Sequence, residues 1–287
     1  MDQKSHSEVN RAAWSHPAYY DAWCKHYGAP RGVAAEIARD PWGQLRRYQP
    51  HLGQVDGKRV VNLLGSIGRK AVPLAMLGAD VTVVDASPVN ARYAEELADA
   101  AGVTITYVVS DVLQVEPRDL GEPFDILLTE GGVLHYFLDL RPFADLCHNL
   151  LRPGGHLILG EHHPMRKCTP TEYGRAVLSE DYFDGTIHEC ELPLAHLLSD
   201  DVRAELPSVR CRHWTLGEIV TTFAEAGFLI QALKETPGMF HLIAERGDSS
   251  CDVVQPDQGA LGAGERTAGD EADGAGGEDA PDRTRRS

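Results

Sequence analysis

No run of this chain approaches the ~18–20 consecutive apolar residues that a membrane-spanning helix needs, so no spanning segment is expected. The opening residues, MDQKSHSEVN, have no apolar core behind a basic start, so no secretory signal is expected there. Cys24, Cys147, Cys168, Cys190, Cys211 and Cys251 are scattered and include no C-x-x-C pair. That pattern does not fit a disulfide framework in a chain of this length, and a reducing, cytoplasmic setting is the expectation. Basic residues are in deficit, with 27 Lys and Arg against 43 Asp and Glu and a net charge of -16. A surface of that sign repels phosphate backbones, so broad nucleic-acid binding is not expected. Nothing in the sequence marks an oligomer interface, and no internal repeat is visible.

What is present suits a globular protein. The 287 residues are 43% hydrophobic and 24% charged, enough for one large domain or two small ones. The stretch 248–287 differs: few large apolar residues, and ten acids against four arginines. Such a segment cannot bury enough apolar surface to offset its ordering entropy, so a disordered acidic tail is expected there.

The middle of the chain alternates. Strands are predicted over 59–64, 81–85, 104–109, 124–128 and 156–159, and helices over 70–77, 88–101 and 141–151. Ser87 is a good N-cap, Pro88 suits a first helical turn, and Thr215 with Glu218 forms a capping box that opens a further helix. Two last strands are predicted over 228–230 and 239–244. Strands alternating with helices argue for a parallel α/β sheet covered on both faces. Residues 1–54 are predicted to form a helical cap, with helices over 8–25 and 33–48. The main domain spans 55–247, and 164–212 within it is expected as an inserted lid over the carboxyl ends of the strands, where open α/β sheets bind ligands.

The first strand runs into Gly65-Ser66-Ile67-Gly68. Glycines there let a backbone approach a ligand and turn into a helix. A diphosphate-cradling loop would need G-x-G-x-x-G, and the third glycine is missing. Asp85 ends the second strand, where an acid can hold both hydroxyls of a ribose; an acid favoured by the following helix dipole is the competing reading. Asp111 ends the third strand, where an acid can accept from an exocyclic amine; a loop acid facing water competes. Two acids at successive strand ends beside a glycine turn form a far more specific pattern than either alone.

On these residues the chain resembles a class I S-adenosylmethionine-dependent methyltransferase of the small-molecule type, from about residue 58 to 245. Asn62-Leu63-Leu64-Gly65-Ser66-Ile67-Gly68 matches the family's first motif, 81–85 its ribose-binding strand, Ser110-Asp111 its adenine-binding turn, and 124–128 its fourth strand. Leu151-Arg152-Pro153-Gly154-Gly155 matches the turn before strand five. The resemblance implies a Rossmann-like, mostly parallel sheet with a C-terminal antiparallel strand, and S-adenosylmethionine as cofactor. It implies Asn62, Gly65, Ser66 and Gly68 near the methionine part, Asp85 with Ala86 at the ribose, and Asp111 with Val112 at the adenine. Asn62 stands where the family usually has an acid, and Ser66 where it usually has a glycine.

Methyl transfer aligns a nucleophile, excludes water and often removes a proton. Glu130, at the end of strand four, is placed to accept that proton and to border the cofactor; a plain loop acid is the alternative. An unperturbed histidine titrates near neutrality, so His135 is equally well explained as a base or as packing against Tyr136. Alternation along strand five aims Glu161 and His163 to one side and His162 to the other, with Glu161 or His163 expected to touch the methyl acceptor. Arg69 and Lys70 sit at a helix N-terminus, where positive charge opposes the dipole, so either one of them faces the methionine carboxylate or both are solvated. Tyr19, Tyr20 and Trp23 suggest an aromatic lid or plain packing, and His213 reaches the pocket or serves the structure. His162, His163, His188, Cys190, Cys168 and His213 lack the close spacing of zinc ligands, so no metal is expected.

The expected activity is therefore methylation of a small-molecule nitrogen or oxygen nucleophile. A nicotinamide-dependent oxidoreductase and a catalytically silent S-adenosylmethionine-binding protein are the rival readings.

Overall fold

A computed structural model describes residues 2–168, 171–172, 175–176, 182–236 and 238–247, which lie in one unit. The stretch 248–287, expected as a disordered tail, lies outside the described residues. Seven strands form the central sheet: β1 (Arg59–Leu63), β2 (Asp80–Asp85), β3 (Thr106–Val109), β4 (Phe124–Glu130), β5 (Leu151–His162), β6 (Phe228–Glu235) and β7 (Met239–Arg246). Their spatial order is β6-β7-β5-β4-β1-β2-β3. β1 pairs in parallel with β2 and β4, β2 with β3, and β4 with β5, while β7 runs antiparallel between β5 and β6. The order reverses at β1, and the crevice between the carboxyl ends of β1 and β4 is the switch point where such sheets take ligands.

The central strands are apolar because both faces are covered. Val61 and Leu63 of β1 join Phe143 and Leu150 of α7 (Arg141–Leu150) on one face. Val60 joins Leu74 of α5 (Ala71–Met76), Ile126 and Ile158 on the other. A further helix, Leu216–Glu225, opens on the Thr215 and Glu218 capping box. A third cluster seats α1 (Gln3–Trp14), α2 (Ala18–Tyr27) and α3 (Pro30–Arg39) against α6 (Pro88–Ala101).

The N-terminal helices are shorter than periodicity predicts. The expected helix over 8–25 divides into α1 and α2 at Ser15-His16-Pro17, and that over 33–48 stops at Asp40, just before Pro41. Proline lacks an N–H and disfavours helical geometry in the residue before it, and these breaks follow from that. After Pro41 the chain turns until α4 (Gln49–Leu52). The interval 164–212 contains a hairpin, Ile187–Cys190 with Val209–Arg212, and a short helix, Asp200–Glu205. Among the described residues no helix is long and apolar enough to cross a membrane.

Candidate functional site

The carboxyl ends of β1 to β4, with the C-terminal half of α1, enclose a cleft of about 380 Å³. Its floor is the turn after β1. Asn62 is 1% exposed; its Nδ2 donates to the Leu128 carbonyl at 3.0 Å, whereas its Oδ1 has no partner among the described residues. A buried acceptor without a donor is costly and calls for one. Gly65 lies directly beside it. A Cβ on Gly65 would stand 2.8 Å from Asn62 Oδ1 and 2.7 Å from Val83 Cγ1, so only glycine leaves this space open.

Ser66, where the family usually has glycine, does adopt a left-handed backbone, with φ of 50°. Two neighbours hold it there. Its N–H donates to Asp85 Oδ2 at 3.0 Å, and its carbonyl accepts from the Tyr107 hydroxyl at 2.7 Å. Burial and the nearby Asp85 push the Tyr107 phenol up, which keeps it a donor. Gly68 has φ of 75° and lies so close to Ala94 that a Cβ would come within 2.9 Å.

Asp85 lines the cleft and is oriented by three donors: Ser66 N–H, Ser87 N–H at 2.9 Å and Asn90 Nδ2 at 3.2 Å. Burial pushes its carboxyl above the ordinary range, against the pull of those bonds. Asn90 in turn accepts from Trp23 Nε1 at 2.9 Å, which ties α2 to the end of β2. Ala86 lines the cleft beside it. Asp111 caps the short 3-10 helix Val112–Gln114 by accepting from Leu113 N–H at 3.1 Å, and both Asp111 and Val112 line the cleft.

At the opposite wall Glu130 is held by Tyr48, whose hydroxyl donates to Oε2 at 2.5 Å, and by Lys70, whose Nζ lies 3.4 Å from Oε1. Burial and then Glu130 push the Tyr48 phenol upward. The residues predicted as two solvated cations or a carboxylate clamp thus have partners of their own. Lys70 pairs with Glu130, while Arg69 lies 3.9 Å over the Tyr27 ring and donates to Gln44 at 2.7 Å. Lys70 and Arg69 both line the cleft.

A second cavity of about 360 Å³ adjoins the first, and His135, Tyr136, His162 and Pro193 line both. The simple alternation expected along β5 is altered at its end. Glu161 is 4% exposed, and its carboxylate accepts from the N–H groups of Val133, Leu134 and His162 at 2.7, 2.9 and 2.6 Å. Burial pushes this carboxyl up, with the Glu130 charge adding to it. Its geometry braces the loop after β4. His163 faces the second cavity, with Nε2 2.7 Å from Glu235 and Nδ1 accepting from Met165 N–H at 3.1 Å. His162, expected to point away, is the β5 residue that reaches both cavities; it sits over Gly132, where a Cβ would come within 2.6 Å of its ring.

Of the three aromatic residues expected as a lid, only Trp23 lines the cleft. Tyr19 is fully buried, with its hydroxyl on the Pro193 carbonyl, and Tyr20 turns to Glu96. Trp14 and Tyr27 line the cleft instead, Trp14 stacking on Trp23 at 6.0 Å and donating to the Tyr136 hydroxyl at 3.0 Å. Neither these two nor Tyr48 carries a spacing signal, because each arrives through the packing of helices distant in sequence. His213 lines the second cavity and stacks on His188 at 4.8 Å. Among the described residues no three His, Cys, Asp or Glu side chains gather as a metal site.

Comparison with known proteins agrees with this architecture. Residues 64–159 match the family model described as a methyltransferase domain. An S-adenosylmethionine-dependent methyltransferase from Mesorhizobium loti superposes with a TM-score of 0.56 at 22% identity, covering 71% of this chain and 97% of that one. Magnesium protoporphyrin IX methyltransferase from Synechocystis PCC 6803, with bound S-adenosylhomocysteine, gives 0.51 at 18% identity over 86% of this chain and 100% of that one. Residues 64–159 thus match a methyltransferase domain, and the fold is the one these solved S-adenosylmethionine-dependent methyltransferases share. In sequence it is similar to the ubiquinone biosynthesis O-methyltransferases of Chelativorans sp. (strain BNC1), 31% identical over 52% of this chain and 53% of that one, and of Rhizobium leguminosarum bv. trifolii (strain WSM2304), 37% identical over 35% and 39%. The chain spans about half the length, or less, of these relatives.

Proposed function

We propose that the protein transfers the methyl group of S-adenosylmethionine to a nitrogen or oxygen of a small molecule. The observation that carries this reading is the buried, donorless Asn62 Oδ1 facing the space that Gly65 leaves open. An ammonium group of an amino-acid moiety satisfies that acceptor, and no third glycine is present to favour a dinucleotide diphosphate.

The remaining groups fit the same ligand. Asp85 has lone pairs left for ribose hydroxyls after its three protein donors, since a carboxylate offers about four acceptor positions. Asp111 and Val112 border the place for the adenine, and Trp14 and Trp23 wall the cleft. The bound cofactor supplies an electrophilic methyl on a sulfonium centre. The chain itself orients the reactants and excludes water by closing α1 and α2 over the strand ends. Glu130 accepts the acceptor's proton or steers an amine, its carboxylate aimed by Tyr48 and Lys70. His135 and His162, at the junction of the two cavities, stand ready for the same proton. The acceptor's entry is through the second cavity.

Titration calorimetry with S-adenosylhomocysteine and, separately, NAD tests the reading. S-adenosylhomocysteine is expected to bind and NAD to give no heat. The reverse result assigns the cleft to a nicotinamide cofactor and overturns the proposal.

A further inference from the structure

The second cavity carries polar groups that the first does not explain. Two of its lining residues, Arg212 and His213, each keep a buried nitrogen without a hydrogen-bond partner among the described residues: Arg212 Nη1 and His213 Nε2. The guanidinium of Arg212 is firmly placed. Its Cζ lies 3.3 Å from the Trp214 ring centroid, and its Nη2 is 3.3 Å from Glu218 Oε1. Trp214 is itself anchored by donating to the Leu134 carbonyl at 3.1 Å. One nitrogen of a charged, placed fork is therefore buried without an acceptor, in a residue that lines the cavity beside an aromatic ring.

A desolvated guanidinium N–H without an acceptor is among the more costly arrangements in a folded protein. A carboxylate relieves it best, because its two oxygens match the fork. The carboxylates already in the cavity do not serve. Glu161 is committed to three backbone N–H groups, and Glu191 faces water at the rim. Trp214, Leu134, Ile219 and Tyr136 line the same cavity and give it an apolar and aromatic surface suited to a flat hydrocarbon body.

We infer that the methyl acceptor is a small aromatic carboxylic acid, held by its carboxylate on Arg212 with its ring against Trp214. Its nucleophilic oxygen or nitrogen then points to the junction at His135 and His162. This rests on the proposed methyltransferase reading and names the substrate class for it.

The test is calorimetry on the full chain saturated with S-adenosylhomocysteine, using 4-hydroxybenzoate and its uncharged analogue 4-hydroxybenzamide as probes. The acid is expected to bind at least about tenfold more tightly than the amide, the lower range for a charge-assisted bond. Arg212→Met should weaken the acid by roughly tenfold to a hundredfold, leave the amide unchanged, and leave S-adenosylhomocysteine affinity within about twofold. Because Arg212 also braces Glu218, His213→Leu provides a second variant, in which the acid weakens several-fold with the cofactor analogue still bound. Equal binding of acid and amide, no binding of either, or an acid affinity untouched by both variants overturns the inference. In each of those cases retained S-adenosylhomocysteine binding leaves the cofactor reading standing, whereas its loss in the wild-type protein overturns that reading instead.

Discussion

Tyr48 donates its hydroxyl to Glu130 at 2.5 Å across a sequence separation of 82 residues, and it does so through a gap that a glycine keeps open. A Cβ on Gly160 would stand 2.5 Å from the Tyr48 hydroxyl. Tyr48 lies in the turn between α3 and α4, Glu130 ends β4, and Gly160 belongs to β5, so three separate elements define one carboxylate's aim.

That relationship makes a coupling prediction. Tyr48→Phe should lower stability by about 1.5–3 kcal/mol, the worth of a hydrogen bond to a charged group. Gly160→Ala should also destabilise, by crowding the ring. In the double variant the two effects should fall short of their sum, since removing the hydroxyl removes the tightest contact. Denaturant unfolding of the four proteins checks this, and strict additivity would show that the residues do not share the contact.

Gly65→Ala should abolish measurable S-adenosylhomocysteine binding and lower stability, because the added methyl would crowd both Asn62 Oδ1 and the buried Val83. Asn62→Leu should cost roughly tenfold in affinity through loss of the unpaired acceptor. Calorimetry reads both, and wild-type affinity in Gly65→Ala would exclude this cradle as the cofactor's place.

Burial raises the Asp85 carboxyl, and the sign of its pH effect follows. Raising an acid's value in the folded state costs stability above that value, and the cost disappears as the pH falls below the ordinary carboxylate range. Cofactor binding needs the ionised form as acceptor. S-adenosylhomocysteine affinity should therefore decline on acidification at a higher pH than an ordinary aspartate would cause. Asp85→Asn should bind more weakly at neutral pH and lose that acid-side decline. Titrations from neutral pH down into the ordinary carboxylate range decide it, and parallel profiles for the two proteins would assign the decline to another group.

Glu161→Ala strands three backbone N–H groups in the interior, those of Val133, Leu134 and His162. Each orphaned donor costs about 1–3 kcal/mol, so a loss of several kcal/mol is expected, with S-adenosylhomocysteine affinity following the loop. Glu161→Gln should recover part of the stability, since its carbonyl still accepts. Thermal melting of both variants measures the difference, and a melting temperature unchanged in Glu161→Ala would remove this bracing role.

The order of strands and helices from β1 to β5 was legible in the sequence because each is set locally. β-branched runs form strands buried on two faces, Ser87 and Thr215 cap their helices through bonds within a few residues, and Gly65 and Gly68 make the turn after β1. Asp85 and Asp111 could be placed at the rim of the cleft for the same reason: a strand's end is a local property. Which side chain fills that rim from elsewhere was decided by tertiary packing alone. Trp14, Tyr27 and Tyr48 enter on helices and turns whose position depends on burying apolar surface against α6 and the sheet, a long-range and non-directional force that leaves no spacing in the chain. The same holds for Glu161, which lines the second cavity, as alternation predicts, but whose carboxylate also accepts from the N–H groups of a neighbouring loop.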